Sequence, residues 1–197
     1  PECICGYPSA MFQLFKPDKP TIQRLIEAQA TLDLSYSGIG STNGTPPPGY
    51  VVDHTRAKIG TGEADFQTAR AALRQWTHFQ LGWVQPCWAD TPIEPNQVVA
   101  ILARAFGLWS LNACRIIDVV DEETKFGFTY GTLPAHVESG EERFMVEWNQ
   151  EDGAVIYDIV AFSRPNHFLT RIAYPLTRRL QRKFASDSVK VMQKTVS

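Results

Sequence analysis

The chain has 197 residues, of which 44% are hydrophobic and 20% are charged, and its formal net charge is −2. This composition is typical of a globular domain with a continuous core and excludes a disordered chain. The small net charge gives no electrostatic reason to expect nucleic acid as a partner, and no apolar run approaches the roughly 18 residues of a membrane-spanning helix.

The first predicted element is a helix from about residue 19 to 31. Asp18 is the expected N-cap, and Pro20 falls in the first turn, where a missing N–H costs nothing. The stretch from Ser35 to Gly49 contains four glycines and three consecutive prolines, so we predict a long loop. Loops of this length inside compact domains are often functional.

A strand from Tyr50 to Ile59 and a helix from residue 61 or 62 to Trp76 follow. Six more segments have strand character and are separated by turns, at about Phe79–Val84, Val98–Phe106, Leu111–Val120, Phe126–Leu133, Glu141–Trp148 and Ala154–Ser163. Because strands and helices do not alternate, the sheet is predicted to be antiparallel.

The last predicted element is a long amphipathic helix. Leu169, Ile172, Leu176, Leu180 and Phe184 recur every three or four residues, and we expect a bend or restart near Pro175. A one-sided helix after a run of strands must lay its apolar face on the sheet. The order of elements therefore indicates an α+β helix-grip fold, a curved antiparallel sheet of about six to seven strands against a long C-terminal helix.

Several runs of residues resemble the family named domain of unknown function 1990. The runs are LSY at 34–36, GIGST at 38–42, LGWV at 81–84, LWSLNACR at 108–115, FGFTYGTLP at 126–134, GEERF at 140–144 and AFSRP at 161–165. The resemblance implies a relative of the START-like (helix-grip, birch-pollen-allergen-like) superfamily, in which sheet and helix enclose a pocket for apolar or amphipathic ligands. It implies one START-like domain over residues 11–197, with residues 1–10 as a tail outside the match.

The richest polar cluster is predicted in the hairpin that follows residue 126. Strand alternation predicts two aromatic-rich faces that both point inward, formed by Phe126, Phe128, Tyr130 and Thr132 and by Glu142, Phe144, Val146 and Trp148. His136 and Glu138 lie in the loop between the strands. A carboxylate on an apolar wall has a raised pKa, so Glu142 or His136 could act as a general acid or base. The structural alternative is that Glu142 pairs with an Arg and His136 caps a turn.

Other candidates have equally simple structural alternatives. Arg164, after Ser163, could hold a ligand anion or could pair with a glutamate of the hairpin. The loop from Ser35 to Tyr50 could be a lid over the cavity, with Tyr36 as its contact, or a structural wrap. Cys114 is expected to be a small buried hydrophobe rather than a nucleophile.

The cysteines and histidines give no sign of a metal site. Four cysteines are too few and too unevenly spaced for a disulfide framework, so we expect a reducing, cytoplasmic compartment. The pair Cys3 and Cys5 supplies two of the four ligands usual for zinc, and the histidines lack ligand spacing. We predict no metal and no cofactor.

The leading hypothesis is a protein that binds a small apolar or amphipathic molecule, lipid-like, polyketide-like or terpenoid-like, in an internal cavity. The expected ligand-binding residues are Tyr36, Asn112, Tyr130, Thr132, His136, Glu138, Glu142, Tyr157, Ser163 and Arg164. The alternatives are an enzyme that uses Glu142 or His136 on such a ligand, and a membrane-associated or interaction protein that uses the basic run at 178–183. Residues 126, 128, 109 and 148 carry aromatic rings that could fill the interior instead.

Overall fold

A computed structural model describes residues 12–166 and 174–197 of the chain. In these ranges the helices and strands, in chain order, are β1 (Phe12–Gln13), α1 (Lys19–Gln29), β2 (Val51–Thr61), α2 (Glu63–Arg74), β3 (Val84–Pro86), β4 (Val98–Ala105), β5 (Leu108–Asp121), β6 (Lys125–Thr132), β7 (Glu138–Trp148), β8 (Ala154–Pro165) and α3 (Tyr174–Val196). None of these helices is long and apolar enough to cross a lipid bilayer.

The strands form one antiparallel sheet in the order β2-β8-β7-β6-β5-β4-β3, and β1 pairs with the start of β5. The pairing of β2 with β8 shifts register between Lys58 and Gly60, and that of β5 with β6 shifts between Ile116 and Asp118. Such irregularities bend and twist a sheet. The sheet is curled into a half-barrel, and the prediction of a curved antiparallel sheet against a C-terminal helix is confirmed.

The concave face of the sheet holds the main core together with α2 and α3. Phe66, Ala69 and Leu73 of α2 have no exposed surface, and they follow the helical spacing that predicted this element. Met192 of α3 is also fully buried in this core. The hairpin prediction holds residue by residue, because Phe126 pairs with Val146, Phe128 with Phe144 and Tyr130 with Glu142.

The convex face is covered by α1 and by the long loop. Asp18 caps α1 as predicted, since its side chain accepts a hydrogen bond from the Thr21 N–H at 2.9 Å. Ile22 of α1 packs in a separate cluster with Leu102 and Leu111. The face also carries a buried ion pair, in which Arg143 Nη2 lies 2.8 Å from Asp158 Oδ2.

One predicted element needs correction. The segment Phe79–Val84 is not a strand: Thr77–Phe79 forms one turn of 3-10 helix, and the strand is the short β3. Gly82, with φ of 77°, adopts a left-handed conformation that is unusual in a strand. The described part of α3 begins at Tyr174, and residues 169 and 172 lie outside the described residues, so the predicted bend or restart near Pro175 stays a prediction.

Candidate functional site

A cavity of about 1190 Å³ lies between the concave face of the sheet and α3. Its walls are largely apolar and include Phe79, Trp83, Ile101, Ile159 and Phe184. This volume slightly exceeds the roughly 300–1,000 Å³ of ordinary small-molecule pockets. The cavity is therefore large enough for a ligand of that class.

The aromatic side chains that could have filled the interior lie beside the cavity. Phe126 and Phe128 are fully buried in the core near α2 and do not line the cavity. Trp148 stacks on Phe66 of α2 with ring centroids 6.2 Å apart, and Trp109 packs with the α1 cluster on the convex face. The aromatics thus fill one end of the sheet and leave the other end open.

Glu142 places a carboxyl group on the cavity wall. Tyr130, its partner across β6 and β7, donates a hydrogen bond from its hydroxyl to Glu142 Oε2 at 2.7 Å. Burial raises the pKa of Glu142 to about 7, and the Tyr130 hydrogen bond opposes only part of this effect. Among the described residues no Arg or Lys forms an ion pair with Glu142; Arg171 lies outside the described residues, so the alternative of an Arg partner stays a prediction.

His136 and Glu138 form a second polar group on the cavity wall. The Glu138 N–H donates to His136 Nδ1 at 2.9 Å, which confirms the turn-capping alternative for His136. Nδ1 also lies 3.0 Å from the Glu138 carbonyl oxygen, so it accepts from the N–H in one tautomer and donates to the carbonyl in the other. Burial lowers the pKa of His136 to about 4, so the imidazole is neutral at physiological pH.

The carboxyl of Glu138 has an unsatisfied oxygen. The side chain is 6% exposed, and Oε1 has no hydrogen-bond partner within the described part of the chain. Burial raises the pKa of Glu138 to about 7, opposed in part by a hydrogen bond with Ser163 and by the charge of Arg178. A buried acceptor without a donor is costly and uncommon in folded proteins.

Three other predicted residues line the cavity but have their polar groups occupied. The Thr132 hydroxyl accepts a hydrogen bond from the Gly140 N–H at 2.9 Å. Asn112 Oδ1 accepts from the Val137 N–H at 3.3 Å, and Ser163 Oγ accepts from the Gln181 side chain at 3.0 Å. These residues shape the wall, whereas the carboxyls of Glu138 and Glu142 keep unused acceptor capacity.

Two other predicted residues do not line the cavity. Tyr157 is fully buried under α3, where its hydroxyl lies 3.0 Å from Ser188 Oγ. Arg164 is exposed, and its guanidinium lies 4.6 Å from the centroid of the Tyr50 ring. The predicted pairing of Arg164 with a hairpin glutamate is wrong, because the described contact is this cation–π interaction.

Glu141 fastens the long loop to the sheet. Its carboxylate accepts from the Tyr36 hydroxyl and the Gly40 N–H, both at 2.7 Å, and from the Thr42 N–H at 2.9 Å and hydroxyl at 2.6 Å. No residue from 35 to 49 lines the cavity. Of the two predicted alternatives, a structural wrap and a lid over the cavity, the loop is the structural wrap. The prediction of a lid with Tyr36 as its contact is wrong.

Several cavity residues were not predicted. Thr55 and Ala57 of β2 face Ala185 and Val189 of α3 across the cavity. The alternation along β2 and the spacing along α3 could have indicated these positions, since they mark the inward faces. The basic run at 178–183 is partly neutralised, because Arg178 makes two hydrogen bonds of 2.5 Å with Asp53 and Lys183 pairs with Asp187.

The described residues contain no cluster of His, Cys, Asp or Glu that could hold a metal ion. Cys114 is fully buried, and burial raises the pKa of its thiol well above the ordinary value, as expected for a packing residue. Cys3, Cys5 and His167 lie outside the described residues.

A curled antiparallel sheet that grips a long C-terminal helix is the START-like, birch-pollen-allergen-like class of fold. The chain is similar to a START superfamily protein from Mycobacterium smegmatis, with 9% identity over 75% of this chain and 97% of that one and a TM-score of 0.51. It is also similar to the di-domain ARO/CYC from the steffimycin biosynthetic pathway, with 9% identity over 75% of this chain and 50% of that one and a TM-score of 0.51.

Residues 35–191 match the family described as Domain of unknown function (DUF1990), and the chain belongs to this family. It is 38% identical to a UPF0548 protein of Dictyostelium discoideum over 94% of this chain and 96% of the relative.

Proposed function

We propose that the chain binds a small amphipathic molecule in the cavity between the sheet and α3. The observation that carries the proposal is a large apolar cavity with two carboxyl groups on its wall, Glu138 and Glu142, neither in an ion pair with a described residue. The START-like fold supports it, because that fold suits the binding of small hydrophobic molecules.

The two carboxyl groups define the polar part of the ligand. An ionised carboxylate only accepts hydrogen bonds, so a ligand that contacts ionised Glu142 must donate one, whereas the unpartnered Oε1 of Glu138 is buried and would need a side-chain movement to meet a ligand donor. A protonated amine satisfies this requirement best, since it supplies donors and a compensating charge. The Tyr130 ring, which lines the cavity beside Glu142, favours the same charge. A ligand carboxylate, as in a fatty acid, is disfavoured beside Glu142 when Glu142 is ionised, although Arg182 and Lys190 also line the cavity.

The first experiment identifies any molecule that purifies with the protein. Native mass spectrometry of the purified chain, followed by extraction, is expected to reveal a stoichiometric small molecule with an apolar body and a donor group. The proposal would be refuted if repeated preparations show only the mass of the unliganded chain and none of the three decyl compounds tested next binds.

A matched panel tests the donor group directly. Decylamine, decanol and decanoate share one apolar chain, and binding can be followed by the fluorescence of Trp83, which lines the cavity. We expect the amine to bind tightest and decanoate weakest at neutral pH. Glu142→Gln should weaken amine binding by about tenfold, the equivalent of one charge-assisted hydrogen bond.

The control for the panel is Glu147→Gln. Glu147 lies on the same strand, but its carboxylate pairs with Arg56 at 2.8 Å on the convex face. This variant should leave the order and the affinities of the three compounds unchanged. Tightest binding of decanoate, or equal losses in the two variants, would contradict the assignment of the polar wall.

An enzyme that acts on the same ligand is the second candidate. The observation that favours it is the pKa of Glu142, about 7, which is suitable for a general acid or base beside an apolar substrate. If the co-purifying compound is turned over, Glu142→Gln should abolish turnover and leave measurable binding. Turnover that survives in this variant would show that Glu142 is not a catalytic residue, and His136→Gln would then be the next variant to assay.

We also propose a cytoplasmic location, which rests on the cysteine content of the sequence alone.

A further inference from the structure

Exposed apolar side chains concentrate in two short segments of the described chain. The large hydrophobic residues with high exposure include Phe12 at 38%, Leu14 at 73%, Phe15 at 83%, Phe106 at 69% and Leu108 at 37%. These five residues, the apolar tip, all belong to the segments 12–15 and 106–108. The others of this kind, such as Ile39 and Val52, lie on the long loop, on β2 and on α3.

The sheet brings the two segments of the apolar tip together. β1 pairs with β5, with Phe12 opposite Ser110 and the next residue opposite Trp109, so the chain continues along Leu108. Phe106 lies in the turn between β4 and β5 with φ of 52°, a conformation that residues other than glycine rarely adopt. The turn is held in this conformation while the Phe106 ring remains mostly exposed. Residues other than glycine in such backbone conformations cluster at functional sites.

Two cations without an ion pair among the described residues flank the apolar tip. Lys16 Nζ lies 5.7 Å from the centroid of the Trp109 ring, and the Arg104 guanidinium lies 5.4 Å from the same centroid. Both side chains are exposed, and neither forms an ion pair with any described residue. The segments 12–16 and 104–110 contain no Asp or Glu. Within these two segments, exposed aromatic and aliphatic groups are therefore combined with positive charge and no negative charge.

We propose that the apolar tip docks on an anionic lipid bilayer. Phenylalanine and leucine side chains enter the boundary between headgroups and acyl chains, while adjacent Lys and Arg contact anionic headgroups. A second copy of the chain fits the surface less well, because two tips face to face would bring four cations together without an anion. Three residues of the tip, Phe12, Phe106 and Leu108, also line the cavity, so docking would place this edge of the cavity against the bilayer.

The test is co-sedimentation of the full chain with phosphatidylcholine vesicles, with and without a fraction of phosphatidylglycerol. We expect binding to the anionic vesicles that weakens as salt is raised. The double variant Phe15→Ser with Phe106→Ser, and separately Lys16→Glu with Arg104→Glu, should each reduce the partition coefficient by about tenfold or more. The control, Ile39→Ser with Val52→Ser, removes exposed apolar groups outside the tip and should bind as the unmodified chain does.

Three results would overturn the proposal. One is no sedimentation with anionic vesicles at low salt, and another is an equal loss of binding in the control. The third is a concentration-dependent dimer, measured by analytical ultracentrifugation, that the tip variants abolish, because a second copy would then cover this surface. All the substituted side chains are exposed, so circular dichroism should show an unchanged fold. No cavity ligand is needed, and the result is independent of the proposed function.

Discussion

Replacement of Glu142 by Gln should stabilise the ligand-free protein, and the gain should grow with pH. The pKa of this carboxyl is about 7 in the folded protein, against an ordinary value of 4.5. Between these values the folded protein holds a proton that the unfolded chain has lost, so raising the pH favours unfolding. The difference corresponds to about 3 kcal/mol once the pH exceeds the folded pKa, at 1.36 kcal/mol for each tenfold change in proton affinity. Access to water in the cavity makes this an upper value.

The assay is urea unfolding, followed by tryptophan fluorescence, at several pH values from below 4.5 to above 7. The difference in the free energy of unfolding between Glu142→Gln and the unmodified chain reports the pH-dependent contribution of Glu142 alone, because Glu138 and His136 are present in both proteins. Glu147→Gln, on the convex face of the same strand, should change stability by less than about 1 kcal/mol throughout. A difference for Glu142→Gln that stays constant with pH, or a variant less stable above pH 7, would refute the argument that burial raises this pKa.

Three further substitutions test the convex face. Glu141→Gln replaces one of the two carboxylate oxygens, each of which accepts two hydrogen bonds, by an NH2 group that cannot accept, and it should cost about 3 kcal/mol in urea unfolding, with faster hydrogen exchange in the loop. Gly131→Ala places a Cβ 2.4 Å from the Tyr36 hydroxyl and should cost about 1–3 kcal/mol by the same assay, and a neutral result would contradict this packing. Asp158→Asn, at a 2% exposed residue, should cost about 3 kcal/mol, whereas Asp121→Asn at an exposed cluster should cost under about 1 kcal/mol.

The sequence was sufficient to predict the local structure of the hairpin that carries the site. Alternation along β6 and β7 depends on nearest neighbours, so the inward faces that carry Phe128 and Tyr130 on one strand and Phe144 and Glu142 on the other could be predicted. The amphipathic spacing of α3 predicted its packing on the sheet for the same reason. These are features in which local pattern and tertiary contacts agree.

The contacts of the predicted polar residues could not be predicted from local sequence pattern. Tyr36 was predicted at the cavity because its loop is long and rich in glycine, but the carboxylate that holds the loop, Glu141, lies 105 residues away on the convex face. Tyr157 is on an inward face as alternation requires, yet α3 covers it and supplies Ser188 as its partner. The position of α3 decides which inward-facing residues are covered and which line the cavity. No pattern in the sequence determines that position.

The two carboxyl groups of the cavity are unfavourable for stability, and this is an argument for a functional role. Apolar residues at positions 138 and 142 would remove the cost of burying Glu138 and Glu142, just as apolar replacements of buried ion pairs often stabilise proteins. Gly140, between them on β7, leaves no room for a side chain, since a Cβ there would lie 1.9 Å from the Phe162 carbonyl oxygen. Glu138 and Glu142 lie on the same strand, at the wall of a cavity large enough for a ligand. A hydrogen-bond donor on that ligand would offset the unfavourable free energy of burying the two carboxyl groups. Ligand binding should therefore stabilise the fold through the same two residues.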